Sequence, residues 1–250
     1  MIKIFLSEQD VISNSNLKIA NPKSVKHLKV LRSSPGEPVQ VLDGKGRVIY
    51  CRFISFSHHI ALVRIEEEEL INPPRPYVIL CCPVISQSRF DLIIDHITEF
   101  GIDEIVPMVT ARSNIRTLSD SKFSRWRRIC VEASKQCGNP FLPRINSLML
   151  FEEAIAYCKS KVDLLYIAGL KYKSGKHLLD YLLGRSGGGD FAMFIGPEGD
   201  FTEQELILAG QNGGVGVSLG GNVLRVETAV SCFCSFVSYL KFCAGKVGNK

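Results

Sequence analysis

The sequence predicts an α/β fold behind a small N-terminal β domain, and two observations carry that prediction. Over roughly the first seventy of the 250 residues, short alternating apolar runs are separated by turn residues. Beyond a proline-rich junction the pattern changes to continuous apolar strands alternating with helical periodicity. That is the pattern of a parallel sheet covered on both faces.

In the first part, Val39-Gln40-Val41-Leu42 and Val48-Ile49-Tyr50-Cys51-Arg52-Phe53-Ile54 read as strands, with turns at Pro35-Gly36 and Asp43-Gly44-Lys45-Gly46. They suit a small barrel or sandwich. The glutamates at 66–69 lead into Asn72-Pro73-Pro74-Arg75-Pro76, which is stiff and cannot continue a sheet, so the boundary falls between domains at 1–72 and 73–250. The second part has candidate strands at 77–82, 104–109, 163–168, 191–195 and 215–219. Its candidate helices lie at 89–100, 122–137, 151–159, 176–183, 202–212 and about 227–242, and the glycine run at 187–189 reads as a loop.

A chain that is 46% apolar and 22% charged fills a core in the manner of a soluble globular protein. Its net charge of +5 is modest but uneven. Between positions 110 and 145, eight Lys or Arg residues face only Asp120 and Glu132, which makes either a solvated helical face or a surface for an anionic partner. Lys3, Glu8 and Asp10 interrupt what would be the apolar part of a secretion signal, so the nine cysteines are expected to be free thiols in a reducing, cytoplasmic setting. No Cys-x-x-Cys pair occurs and the histidines lack zinc spacing, so no metal is expected. The uncharged run at 228–240 has 13 residues. That is short of the roughly 20 needed to cross a bilayer, so it reads as a buried helix and no membrane partner is expected.

Two glycine segments resemble nucleotide motifs without meeting their requirements. Asp43-Gly44-Lys45-Gly46 is followed by a strand where a dinucleotide site needs a helix, and is read as a hairpin turn. Gly169-Leu170-Lys171-Tyr172-Lys173-Ser174-Gly175-Lys176-His177 spaces its glycines one position too widely for a phosphate loop and has His177 where a metal-holding hydroxyl belongs. Two others fit a ligand site. A buried strand delivers the chain to Gly196-Pro197-Glu198-Gly199, after which Thr202 and Glu205 form a capping box. A second strand ends at Leu219-Gly220-Gly221-Asn222-Val223-Leu224-Arg225-Val226-Glu227-Thr228-Ala229, the entry to the last helix. Open α/β sheets bind ligands at such strand ends, although glycine loops do not name the ligand.

These loops join other segments in a consistent order: His27-Leu28-Lys29-Val30-Leu31-Arg32, Thr98-Glu99-Phe100-Gly101-Ile102, Ile105-Val106-Pro107, Ala111-Arg112-Ser113, Trp126 and Glu132-Ala133-Ser134-Lys135-Gln136. Together they resemble the bacterial 16S ribosomal RNA uridine-N3 methyltransferases, the RsmE family of the SPOUT superfamily, over nearly the whole chain. The resemblance implies a PUA-like N-terminal β-barrel that binds RNA and a SPOUT α/β methyltransferase domain with a C-terminal trefoil knot. It implies a homodimer acting on small-subunit ribosomal RNA or the 30S subunit. It also implies that S-adenosylmethionine is held by Gly196, Pro197, Glu198, Gly199, Leu219, Gly220, Val223, Leu224 and Arg225, with Thr228 nearby. Four positions depart from the usual family pattern: Ser86 and His96 stand where lysines are usual, Asn139 replaces an arginine, and Asp200 replaces a glycine.

Methylation of a uridine ring nitrogen requires in-line positioning and loss of the imino proton. Arg112 or Arg225 is expected to stabilise charge on the uridine carbonyl oxygens, and Glu227 to accept the proton or orient an arginine. Arg225 and Glu227 would alternatively pair or cap the helix. Lys26, Lys29, Arg32, Arg112 and Arg116 are expected to contact RNA, with the target base exposed or flipped out. A sister SPOUT enzyme with another acceptor shares the donor, whereas a non-catalytic RNA-binding or ribosome-assembly factor would not bind it.

Overall fold

The computed structural model describes residues 1–184 and 189–247, so positions 187 and 188 of the expected glycine loop lie outside the described residues. The chain forms two compact units, Met1–Pro73 with Val131–Leu142, and Pro74–Cys130 with Pro143–Lys250.

The first unit contains β1 (Ile2–Phe5), β2 (Val11–Ser13), β3 (Asn16–Ile19), α1 (Pro22–Val30), β4 (Pro38–Leu42), β5 (Arg47–Ser57) and β6 (Ile60–Leu70). They make one sheet in the order β1-β4-β5-β6-β3-β2, antiparallel except for the β1–β4 pair. Alternate residues such as Val39, Val41, Ile49, Cys51 and Phe53 face a core shared with Val25 and Leu28 of α1. Helix α1 starts on Pro22, with Asn21 accepting the Lys23 amide at 3.0 Å. The Asp43 turn is a hairpin, its carboxylate accepting the Lys45 amide at 2.7 Å and the Arg47 amide at 3.0 Å.

The glutamates at 66–69 belong to β6, which ends at Leu70 just before the proline-rich junction. Glu68 pairs with Arg47 at 2.6 Å, Glu66 pairs with Arg52 at 3.0 Å, and Glu69 accepts from Tyr50 at 3.1 Å. Cross-strand partners thus make an acidic strand tolerable, at under about 1 kcal/mol per exposed pair. Residues Val131–Leu142, expected in the second domain, belong to the first unit. The Gly46 amide donates to Pro140 O at 3.1 Å and the Leu142 amide to Gly44 O at 3.0 Å. Gly46, at φ +104°, leaves the room in which the Phe141 ring lies.

The second unit runs β7 (Val78–Pro83), α2 (Gln87–Glu99), β8 (Glu104–Val109), α3 (Asp120–Cys137, its last turns counted with the first unit), β9 (Arg144–Ile145), β10 (Met149–Leu150) and α4 (Phe151–Lys159). It continues through β11 (Leu164–Ala168), α5 (Leu178–Leu183), β12 (Phe191–Ile195), α6 (Glu203–Gln211), β13 (Gly214–Val217) and α7 (Val226–Val247). The sheet is parallel throughout, ordered β10-β8-β7-β12-β11-β13 with β9 beside β8. Every residue of β7, β8 and β12 is buried, as strands covered on both faces must be. One face packs Ile79, Cys81, Val106 and Phe194 against Phe151 and Ile155 of α4 and Leu206 of α6. On the other, the Phe191 ring meets Phe233 of α7 at 6.2 Å.

Helix α7 is longer than the run at 228–240 suggests, because Glu227 and Lys241 lie inside it. By length and composition alone, Val226–Gly245 would suffice to span a bilayer. One face of it packs into this unit, while 33% of its most apolar window is buried. Val230, Phe233, Cys234 and Val237 are buried, and Lys241 pairs with Asp103 at 2.6 Å while donating to Gly101 O.

Candidate functional site

Three loops meet at the C-terminal ends of β11, β12 and β13 around a cleft of about 260 Å³. The β12 loop contributes Ile195, Gly196, Pro197, Glu198 and Asp200, and the segment between β13 and α7 contributes Leu219, Gly220, Val223, Leu224 and Arg225. The third loop follows β11 and supplies Gly169, Leu170 and Lys173. This last loop is the glycine segment that failed as a phosphate loop. It fails in that role, yet it walls the ligand cleft, and its position after a buried strand was the signal available in the sequence.

Local chemistry fixes each loop. In the β12 loop the Asp200 amide closes a turn onto Pro197 O at 2.8 Å, and Asp200 itself adopts φ +61°. Its carboxylate accepts the Leu170 amide at 2.9 Å and so ties the β12 loop to the β11 loop. Phe201, buried against Phe151 at 5.2 Å between ring centres, anchors the loop from below, and Thr202 with Glu205 closes the capping box at the start of α6. After β13, Ser218 Oγ donates to Lys173 O at 2.8 Å and accepts the Gly220 amide at 3.1 Å. Gly216 is required by its neighbour, since a Cβ there would lie 2.3 Å from the Tyr172 ring.

Among the residues expected to hold a ligand, Gly196, Pro197, Glu198, Leu219, Gly220, Val223, Leu224 and Arg225 line the cleft, whereas Gly199 and Thr228 are not among its wall residues. Arg225 is exposed, and its side chain makes no hydrogen bond or ion pair among the described residues. Arg112 lies off the wall, with its guanidinium donating to Gly199 O. Arg116 donates to Ala111 O at 3.0 Å.

Glu227 also lies off the wall, and its partner is Arg89 of α2 at 3.4 Å rather than Arg225. Arg89 pairs in addition with Glu198 at 2.8 Å. The sequence reading missed Arg89, because helical periodicity gives its phase on α2 but not the strand ends it faces. His96 shares a hydrogen bond with Ser231 Oγ of α7 at 2.8 Å. Within the basic segment, Arg125 pairs with Asp91 at 2.7 Å and Lys135 with Glu132 at 2.6 Å, so part of that charge is satisfied inside the protein. In the first unit Lys26, Lys29 and Arg32 are exposed at or just after α1, with Lys29 Nζ 5.6 Å from the centre of the Phe56 ring.

The cleft suits an amphiphilic ligand that carries positive charge. Val217, Leu219, Val223 and Leu224 provide apolar wall, the glycine loops present backbone groups, and Glu198 and Asp200 supply carboxylates. Lys173 and Arg225 stand on the same wall as counterparts for an acid group.

Comparison with known proteins adds the following. Residues 72–238 match the family model described as an RNA methyltransferase domain. Ribosomal RNA small subunit methyltransferase E of Synechocystis is 30% identical over 201 residues, covering 80% of this chain and 65% of that protein. The Aquifex aeolicus protein of the same name is 27% identical over 237 residues, covering 94% of this chain and 98% of its own. The crystal structure of ribosomal RNA small subunit methyltransferase E from Neisseria gonorrhoeae bound to S-adenosylmethionine has a TM-score of 0.82. It is 27% identical and covers 96% of this chain and 98% of that one.

Proposed function

Because the chain belongs to the RNA methyltransferase domain family, we propose that it transfers a methyl group from S-adenosylmethionine to N3 of a uridine in small-subunit ribosomal RNA. The observation that carries this reading is the cleft walled by the Gly196-Pro197-Glu198 loop and the Leu219–Arg225 segment, in a chain similar to a relative bound to that donor. Bound there, S-adenosylmethionine supplies an electrophilic methyl on a sulfonium centre. The apolar wall would pack against the donor, and Glu198 and Asp200 would balance its positive charge. Arg225, exposed at the cleft and free of partners among the described residues, is placed to meet negative charge developing on the uracil carbonyls. Arg112 braces the β12 loop through Gly199, and Glu227 accepts the imino proton or orients an arginine.

The six-stranded first unit is read as a PUA-like RNA-binding barrel, with Lys26, Lys29 and Arg32 toward RNA phosphates and Arg112 and Arg116 adding contacts in the second unit. The SPOUT trefoil knot belongs to the same reading, with segment 173–178 and Ser218 held side by side at the cleft. A homodimer is supported by Tyr239 and Phe242, 56% and 60% exposed on α7, and light scattering will read a mass of twice the chain. The deciding experiment incubates the protein with small ribosomal subunits and methyl-labelled donor, then identifies the nucleoside. Label in 3-methyluridine is expected. Label on ribose or another base would point to a sister activity, and absence of label with no donor affinity would point to a binding factor.

A further inference from the structure

We infer that Arg89 is a positioning residue for this methyl transfer, clamping the donor loop to the start of the last helix through two carboxylates. The inference rests on the reading above. Arg89 lies on α2, off the cleft wall, and reaches Glu198 at 2.8 Å and Glu227 at 3.4 Å. Those carboxylates stand on different segments, one on the cleft wall and one just off it. Glu198 lines it from the β12 loop, and Glu227 sits between the wall residues Val226 and Ala229 of α7. Among the described residues, Arg89 is the only side-chain partner of either. Arg89 Nε also donates to Ser86 Oγ at 3.1 Å, which fixes the arginine at the start of its own helix.

The geometry explains why an arginine is required. Two carboxylates converging on one point repel each other and would push apart the β12 loop and the start of α7. A guanidinium offers separate N–H groups to each, whereas a lysine is a single point charge. Arg89 therefore sets the width of the cleft and holds Glu227 beside it. Loss of the clamp loosens donor binding through Glu198 and slows the chemical step through Glu227.

The test uses the full-length protein, calorimetry with S-adenosylmethionine, and single-turnover methylation of small ribosomal subunits at saturating donor. R89A is expected to weaken donor affinity and slow transfer, each roughly tenfold, the scale of a coupled charged network. R89K should restore only part of each loss. E227Q should slow transfer as much as R89A, and R89A/E227Q no further. The sign of the Glu198 effect separates a clamp from general support of the fold. E198Q weakens donor binding when Arg89 is present, but improves it in the R89A background, where it removes the repulsion. The inference is overturned if R89A leaves both readouts within about twofold of wild type, or if E198Q worsens R89A. Should R89A not fold, E198Q and E227Q with Arg89 in place give the same two readouts, and unchanged values in both overturn it. If the wild-type protein binds donor but methylates no RNA, the functional reading fails, while the donor-affinity cycle still decides whether Arg89 clamps the cleft.

Discussion

Asp200 holds a left-handed backbone conformation that a side chain with a Cβ adopts at a cost, and offsets that cost by accepting the Leu170 amide. Asp200→Ala loses the bond and keeps the strain, so it should destabilise by about 1–2 kcal/mol. Asp200→Gly should relax the backbone yet release the β11 loop, and Asp200→Asn should keep most of both. Urea denaturation midpoints for the three variants check the order. The thiols give a second expectation. Burial, reinforced by nearby carboxylates, pushes Cys51 up to about 12, and burial pushes Cys130 up to about 11. At neutral pH a thiol-alkylating reagent should therefore label exposed Cys137 before either, as peptide mass mapping will read. At this scale the sequence shows which residues are unusual, Asp200 among them, but not their partners. Leu170 lies 30 positions away and Arg89 more than a hundred from Glu198, and only the packed strand ends bring them together.

Strand β8 begins on a buried carboxylate, and that residue organises its neighbours. Glu104 accepts from Tyr77 Oη at 2.6 Å, from Lys161 Nζ at 3.0 Å, and from Tyr157 Oη and Asn146 Nδ2. Burial alone would raise its titration, but the hydrogen bonds from Tyr157, Tyr77, Asn146 and Lys161 outweigh it and hold the carboxyl below its ordinary range. A carboxylate lowered in this way stabilises the fold above the unfolded-state value of about 4.3 and loses that contribution as pH falls through its lowered range. Glu104→Gln should cost about 3 kcal/mol at pH 7, because Lys161 loses its counter-charge and an amide NH2 replaces one of the two acceptor oxygens that the surrounding donors face. The gap from wild type should narrow towards about pH 3 in urea titrations. The elements themselves were largely legible. β8, α4 and β12 span the residues that periodicity and turn signals marked, because buried parallel strands and capped helices write strong local patterns. Helix α1, β6 and the two-residue strands β9 and β10 were not. A nine-residue helix with two buried positions gives little periodicity, and four successive glutamates carry no apolar alternation to mark a strand.

Over the whole molecule, affinity for RNA should come mainly from phosphate contacts and fall steeply with salt. Replacing Lys26, Lys29 and Arg32 together by alanine should weaken binding without changing which nucleoside is methylated. It should also reduce the slope of log affinity against log salt by roughly 0.7–0.9 for each phosphate that is no longer neutralised, read by filter binding over a salt series. The two-part organisation was legible from the change of pattern at the proline-rich junction. The discontinuity of the first unit was not, since Phe141 and Leu142 carry no local mark of the turn they complete. That discontinuity bears on the order of events at the ribosome. A first unit ending at Pro73 would be complete once its own residues were made, whereas this one must wait for Leu142. At synthesis rates of about 5–20 residues per second, its sheet stays without its closing segment for several seconds. A nascent chain stalled shortly after residue 73 should therefore be cleaved by protease far more readily than one stalled beyond residue 142.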